Sequence, residues 1–163
     1  MDSIIVFVAK YFLFLSVIIT VWFWLKSVRD TKIELAARLI LGGVIALALS
    51  NLASRLYYDP RPFVTQHVTP LFAHAPDNGF PSDHALLTSF LAFTLLSYSK
   101  RVSAILLVIA VLVGAARVAA HVHQPQDIVG SFVFSAIAAI VVAWLTDKLR
   151  LTTRWRHTTS PPA

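Results

Sequence analysis

The chain has 163 residues, of which 57% are hydrophobic and only 13% charged, with a mean hydropathy of +0.72. A soluble domain of this size has no use for so much apolar surface, and the apolar residues come in blocks, so the sequence describes an integral membrane protein. The formal charge of +6 would suit a nucleic-acid partner, but the basic residues fall in short loops between apolar blocks, where membrane topology accounts for them; the absence of cysteine excludes disulfides and thiolate chemistry.

Five apolar segments of roughly 14 to 22 residues, against the ~20 that cross a bilayer core as helix, predict a polytopic all-α transmembrane bundle. The first, Ile4–Leu25, is too long for a signal-peptide core, has Asp2 where a basic leader belongs and lacks a small-residue cleavage site, so it is expected to be retained. Leu35–Ala53 follows and contains Gly42-Gly43, a patch where helices approach closely. The long connection from Arg55 to Asp83 holds Pro60, Pro62, Pro70, Pro76, Gly79 and Pro81, which predicts a structured loop rather than another span. Ala85–Tyr98 is short, so its His84 end should start below the headgroup level. Val102–Ala120, with the small patch Gly114-Ala115-Ala116, and Ile128–Leu145 complete the set. Residues 1–150 read as one domain, and the basic tail 151–163, ending Thr-Thr-Ser-Pro-Pro-Ala, is expected to fray.

Orientation follows the basic residues. Lys26, Arg29, Lys32 and Arg38 flank the first loop, Lys100 and Arg101 fill the second turn on the same side, and Lys148, Arg150, Arg154 and Arg156 crowd the tail. In a five-span topology all ten lie on one side, which predicts that this side and the C-terminus are cytoplasmic. Trp22, Trp24 and Trp144 fall at the same ends, as an aromatic belt would. The opposite, extracytoplasmic face keeps only Arg55, Arg61, Arg117 and, near the start of the first span, Lys10.

That face gathers the titratable residues. In Arg117-x5-His123-x3-Asp127, Pro125 suits a first helical turn, so Asp127 can reach His123 across the helix start. A carboxylate that accepts a proton from one imidazole nitrogen fixes the tautomer and frees the other nitrogen as nucleophile or base. Pro81-Ser82-Asp83-His84 opens the third span, where free backbone N–H groups and the Ser82 hydroxyl make an anion-binding corner and His84 a proton donor. Arg55 and Arg61 bracket Leu-Tyr-Tyr-Asp-Pro, and an arginine fork binds two phosphate oxygens at once. Each cluster alone also has a structural reading: Asp127, Ser82 and Asp83 as helix caps, His123 and His84 as polar loop or interfacial residues, the arginines as snorkelling side chains. Their coincidence on one face favours a site that grips phosphate and moves it onto an imidazole. His121, with no such partner, reads as a structural neighbour.

The ordered set Arg61-Pro62, Pro81-Ser82-Asp83-His84 and Arg117-x5-His123-x3-Asp127 resembles the three-part signature of the type-2 phosphatidic acid phosphatase superfamily. Within it, Arg61-Pro-Phe-Val and Asp77-Asn-Gly-Phe-Pro-Ser-Asp-His84-Ala are most similar to the bacitracin-resistance type of undecaprenyl-diphosphate phosphatase. The resemblance spans about Ile4 to Leu145. It implies a membrane hydrolase without metal or other cofactor, in which His123 attacks the terminal phosphorus and becomes a phosphohistidine. Asp127 would orient it, His84 would protonate the leaving oxygen, and Arg61, Arg117 and Ser82 would hold the phosphoryl oxygens. The implied substrate is a polyprenyl diphosphate in the lipid bilayer.

The chain departs from that signature in three places. Its first motif has Ser54 where the superfamily carries a lysine seven residues before the arginine, and the cation is Arg55, one residue closer; a one-residue shift turns a helical side chain by about 100°. Arg55 is the preferred third phosphate ligand, being an arginine in the same segment as Arg61, and Lys10 from the first span is the alternative. Ala116 replaces the usual serine before Arg117, and Asp83 replaces a glycine before His84, where it would cap the helix or hold an arginine. Phosphatidic acid or phosphatidylglycerophosphate is the alternative substrate. From another class, six histidines in a membrane protein also fit haem or metal binding or proton-coupled transport, although His67, His74 and His157 lie in loops or tail.

Overall fold

The computed structural model describes residues 1–66 and 68–149, so the 151–163 tail and His67 lie outside the described residues. Six helices follow in order: α1 Asp2–Lys26, α2 Arg29–Leu56, the one-turn α3 Pro62–Thr65, α4 Asp83–Leu95, α5 Lys100–Ala119 and α6 Pro125–Lys148. There is no strand among the described residues, only an isolated bridge between Pro60 and Asn78. The all-α bundle is thus present, and α1, α2, α5 and α6 are each long and apolar enough to cross a membrane. They outrun the expected apolar segments by a few residues at most ends, because a helix continues through polar interfacial residues that hydropathy discounts.

The third expected span is different. The helix begins at Asp83 and stops at Leu95, 13 residues or about 20 Å, short of the ~30 Å hydrocarbon core. Its position explains its length. α4 touches α1, α2, α5 and α6, and is buried nearly all round, through Ala85, Leu86, Phe90, Leu91, Ala92 and Leu95. A helix enclosed by four others does not have to meet both headgroup layers. The arrangement is inside-out, as expected of a bundle in lipid: Ile40, Val44, Val108, Val129 and Ile140 face outward, whereas Ser16, Thr20, Ser89, Ser103, Ser131 and Ser135 are buried.

Those hydroxyls set the register between α4 and α6. Ser131 Oγ donates to the Ser82 carbonyl at 2.9 Å, Ser135 Oγ to the Leu86 carbonyl at 2.7 Å, and Ser89 Oγ to Ser135 Oγ at 2.8 Å. Interhelical hydrogen bonds of this kind do in a membrane what apolar contrast cannot. At the opposite end of the bundle, Arg38 is not a loop flank but a buried tie. Its Nη2 pairs with Glu34 at 2.9 Å and Asp147 at 3.0 Å, and its guanidinium lies 5.5 Å from the Tyr98 ring centroid, joining α2, α6 and the α4–α5 turn.

The connection between α2 and α4 is ordered across the end of the bundle. Asn78 is its clamp: Oδ1 accepts from the backbone N–H groups of Asp59 and Phe80, and Nδ2 donates to the carbonyls of Ser54 and Tyr57. Phe80 then lies against Gly130 of α6, where a β-carbon would run into its ring. Leu71 N–H bonds the Ala120 carbonyl at 3.1 Å, which closes the loop over the end of α5.

Candidate active site

α6 starts where Pro125, lacking an N–H, occupies its first turn and Gln124 caps it. The carboxylate of Asp127 folds back over that cap, and its Oδ2 accepts the Gln124 N–H at 2.8 Å. The same oxygen lies 3.1 Å from Nδ1 of His123. Burial, reinforced by the charges of Arg117 and Arg61, holds the His123 imidazole well below the ordinary histidine range, so it is neutral. Neutral imidazole has one N–H; Asp127 claims it at Nδ1, and Nε2 is left with its lone pair.

Two arginines face that lone pair. Arg61 Nη1 stands 3.2 Å from His123 Nε2 and Arg117 Nη2 3.1 Å from it. Arg61 comes from the residue before α3 and is fixed at three points, by Nε on Asp77 at 2.7 Å, Nη1 on the Val122 carbonyl at 2.6 Å and Nη2 on the Asn78 carbonyl at 3.5 Å. Asp77 would be raised by burial, but the hydrogen bond and charge of Arg61 outweigh that and hold it below the usual carboxylate range. Arg117, in the last turn of α5, reaches the site from the other side and also touches His74 Nε2 at 3.2 Å. Three buried polar atoms here have no hydrogen-bond partner among the described residues, Arg117 Nε, Ser82 Oγ and Asp127 Oδ1.

Of the residues expected from the sequence, Arg61, Arg117, His123 and Asp127 are joined directly. Ser82 caps α4 and is bound to α6 through its N–H on the Asp127 carbonyl, 3.4 Å. His84, half-buried as the second residue of α4, lies within electrostatic reach of Arg117, His123 and His74 without bonding them. Asp83 is exposed. The two candidate third cations separate. Arg55 is exposed at the end of α2 and bonds to none of the cluster, whereas Lys10 Nζ sits 4.6 Å from the centroid of the Phe72 ring, on which the Arg117 guanidinium also rests at 5.7 Å. The structure therefore brings Lys10, not Arg55, to the edge of the cluster. His121 adopts φ 59°, a left-handed conformation that turns the chain from α5 toward His123, and its role is that turn.

Reading the sequence missed His74, Phe72, Asp59 and the bracing roles of Asp77 and Asn78. His74 carries no spacing signal, 43 residues from Arg117 in a proline-rich loop; only the loop's path over the bundle end brings it within 6.2 Å of the His123 ring, centroid to centroid. Burial lowers its pKa, with Arg61 adding to the effect. Gly79 matters for close approach. A β-carbon there would lie 2.9 Å from Asp127 Oδ2 and 3.2 Å from the Asp59 carbonyl. The arrangement offers an unprotonated nitrogen nucleophile between two guanidinium groups. It suits an anion and repels a metal cation from His123 and His74, which sets it apart from a haem or metal centre.

The PAP2 superfamily model matches residues 33–151, which contain every residue of this cluster except Lys10. The chain belongs to the PAP2 superfamily. Among PAP2 relatives, it is 30% identical to undecaprenyl-diphosphatase BcrC of Bacillus subtilis over 92% of this chain and 77% of that protein. The fold is shared with LpxE of Aquifex aeolicus, with a TM-score of 0.65, 24% identity and coverage of 88% of this chain and 87% of that one. It is also shared with a transmembrane PAP2-type phosphatidylglycerolphosphate phosphatase of Bacillus subtilis, with a TM-score of 0.62, 24% identity and coverage of 91% and 77%. As a PAP2 member the chain is a membrane-embedded phosphatase.

Proposed function

We propose that the protein hydrolyses a polyprenyl diphosphate to the monophosphate and inorganic phosphate at the extracytoplasmic face of the plasma membrane. The observation that carries this reading is His123, kept neutral by burial and the arginine charges, with Nδ1 on Asp127 and the free Nε2 flanked by both arginines at 3.1 and 3.2 Å. The terminal phosphoryl group takes the place in front of Nε2, with Arg61, Arg117 and the unpartnered Ser82 hydroxyl on its oxygens. Nε2 attacks phosphorus and the bond to the bridging oxygen breaks. The negative charge of the bound diphosphate draws a second proton onto His84, which passes it to that oxygen as the lipid monophosphate leaves. In the second half, His84 takes a proton from water as its oxygen attacks phosphorus, the N–P bond breaks, and phosphate is released.

The lipid preference rests on the BcrC likeness and on a groove of about 670 Å³ among α1, α2 and α4, lined by Thr20, Leu39, Gly43, Ala46, Leu86 and Phe90. It begins at Asp83, beside Ser82 and His84, so an apolar chain bound there has its phosphate end at the site. The facing is argued from charge: Lys26, Arg29, Lys32, Lys100, Arg101 and Lys148 all lie at the bundle end away from the site. Phosphate release in detergent and chelator, comparing undecaprenyl diphosphate with phosphatidic acid and phosphatidylglycerophosphate, tests the substrate. A preference for the diphosphate of at least tenfold in kcat/KM is expected, corresponding to about 1.4 kcal/mol; a preference for either glycerolipid overturns it.

A further inference from the structure

Two carboxyl groups meet behind His123, and the mechanism above uses only one. Asp127 is fully buried, and its Oδ2 is occupied by His123 Nδ1 and the Gln124 N–H, while its Oδ1 is buried with no donor on it among the described residues. Asp59, in the loop after α2, is only 7% exposed. Its backbone is fastened on both sides, N–H on Asn78 Oδ1 and carbonyl on the Gly79 N–H at 2.8 Å, and its Oδ2 accepts from Gln126 Nε2 at 2.7 Å. This fastening aims the Asp59 carboxyl at the start of α6, within hydrogen-bonding reach of the Asp127 carboxyl.

Two ionised carboxylates cannot rest in hydrogen-bond contact in a site shielded from water; one proton between them turns repulsion into a bond. Asp127 is the better anion of the two. It accepts two N–H groups and sits in the first turn of α6, where the helix dipole favours negative charge, and Arg61 lies nearby. Asp59 has a single amide donor on its side chain. Burial first, and then the charge of Asp127, push Asp59 above the ordinary aspartate range. The other groups facing the pair are His123, which is neutral, and Arg61, whose charge is shared with Asp77.

We propose that Asp59 is a positioning residue, protonated in the resting protein, whose O–H donates to Asp127 Oδ1 and thereby holds Asp127 ionised and aimed at His123 Nδ1. The orphaned Oδ1 is then satisfied, and the carboxylate plane is fixed by donors on both oxygens. The net charge beneath the imidazole stays at one negative, enough to orient the Nδ1 proton and to stabilise the positive ring formed on phosphoryl transfer. The inference rests on the role given to His123 above, but the proton on Asp59 does not depend on which lipid is hydrolysed.

Infrared spectroscopy of the full chain in detergent reads that proton directly. As pH rises past the ordinary aspartate value of about 3.9, the wild type should keep the carbonyl stretch of a protonated carboxylic acid. The band should vanish in Asp59→Asn, and in Asp127→Asn it should be lost at a lower pH than in the wild type, since burial remains but the neighbouring charge is gone. In turnover, Asp59→Ala should lose about ten- to hundred-fold in kcat, as for removal of one buried charge-assisted hydrogen bond. Asp59→Asn, whose amide can donate to the same oxygen, should recover most of it. A wild type without the band, a band that persists in Asp59→Asn, or an asparagine variant no better than alanine overturns the proposal. Hydrolysis of a glycerolipid instead of a polyprenyl diphosphate would overturn the substrate reading and leave the infrared result standing.

Discussion

His123 has its two ring nitrogens assigned by different neighbours, and that division is what mutations at the site should expose. Removing the nucleophile in His123→Ala should abolish phosphate release. Asp127→Asn should reduce it by several orders of magnitude, as when a carboxylate is lost from beneath a catalytic imidazole and the wrong tautomer results; an alanine variant with near-normal release would refute a phosphohistidine route. The depressed pKa has a definite sign. An exposed histidine gains its second proton as pH falls through about 6.5, whereas His123 should remain a neutral Nδ1–H ring well below that, which nitrogen-15 NMR of the free protein can follow. A His123 signal titrating near the ordinary value would contradict the burial and arginine field that hold it neutral. The cations are separable in the same way. Lys10→Ala should weaken orthovanadate inhibition more than Arg55→Ala, since Lys10 shares the Phe72 ring with Arg117 and Arg55 is exposed and bonds to none of the cluster; equal inhibition in both variants and wild type would leave Arg61 and Arg117 as the whole clamp. Gly79→Ala belongs here too, because its new methyl would press on Asp127 Oδ2; a loss in kcat with little change in KM is expected, and an unchanged kcat would show that the loop yields.

Elements decide how precisely those residues meet, and here the sequence was legible unevenly. The long helices were visible as apolar blocks, and Arg61, Ser82, His84, Arg117, His123 and Asp127 could be grouped because each sits at a span end that topology sends to one side. α4 was harder: its apolar run continues to Tyr98 while its helix stops at Leu95, since enclosure by four neighbours, which no periodicity records, lets it end early. His74 and Asp59 were invisible for a related reason, because their place depends on a loop path set by Asn78 and Gly79 rather than on a repeat. Arg38 looked like a loop charge because sequence cannot show that Glu34, Asp147 and Tyr98 converge on it. The α4–α6 hydroxyl contacts make a test at this scale. In a double-mutant cycle, Ser89→Ala and Ser135→Ala should couple by about 0.6 kcal/mol, the magnitude typical of such bonds within membranes. Strict additivity would mean that the 2.8 Å contact does not hold the two helices in register.

For the molecule as a whole, the two ends of the bundle carry opposite designs, and this asymmetry makes its orientation testable. One end gathers arginines and histidines into a buried, mutually braced site; the other spreads lysines and arginines over short connections beside Trp24 and Trp144, with Lys32 and Lys148 lying over those rings. Basic residues of the first kind are held by partners and say little about topology, so the unpaired ones at the far end should govern insertion, placing that end in the cytoplasm. The chain has no cysteine, so single labels can be introduced without background. Thr65, the exposed last residue of α3 on the site side, and Ser97, exposed in the α4–α5 turn, lie at opposite ends. A cysteine at position 65 should react with a membrane-impermeant thiol reagent in intact cells, and one at position 97 only after the membrane is opened. The reverse pattern would put the site in the cytoplasm and remove an outer-leaflet lipid diphosphate from its reach, while leaving the His123 chemistry untouched.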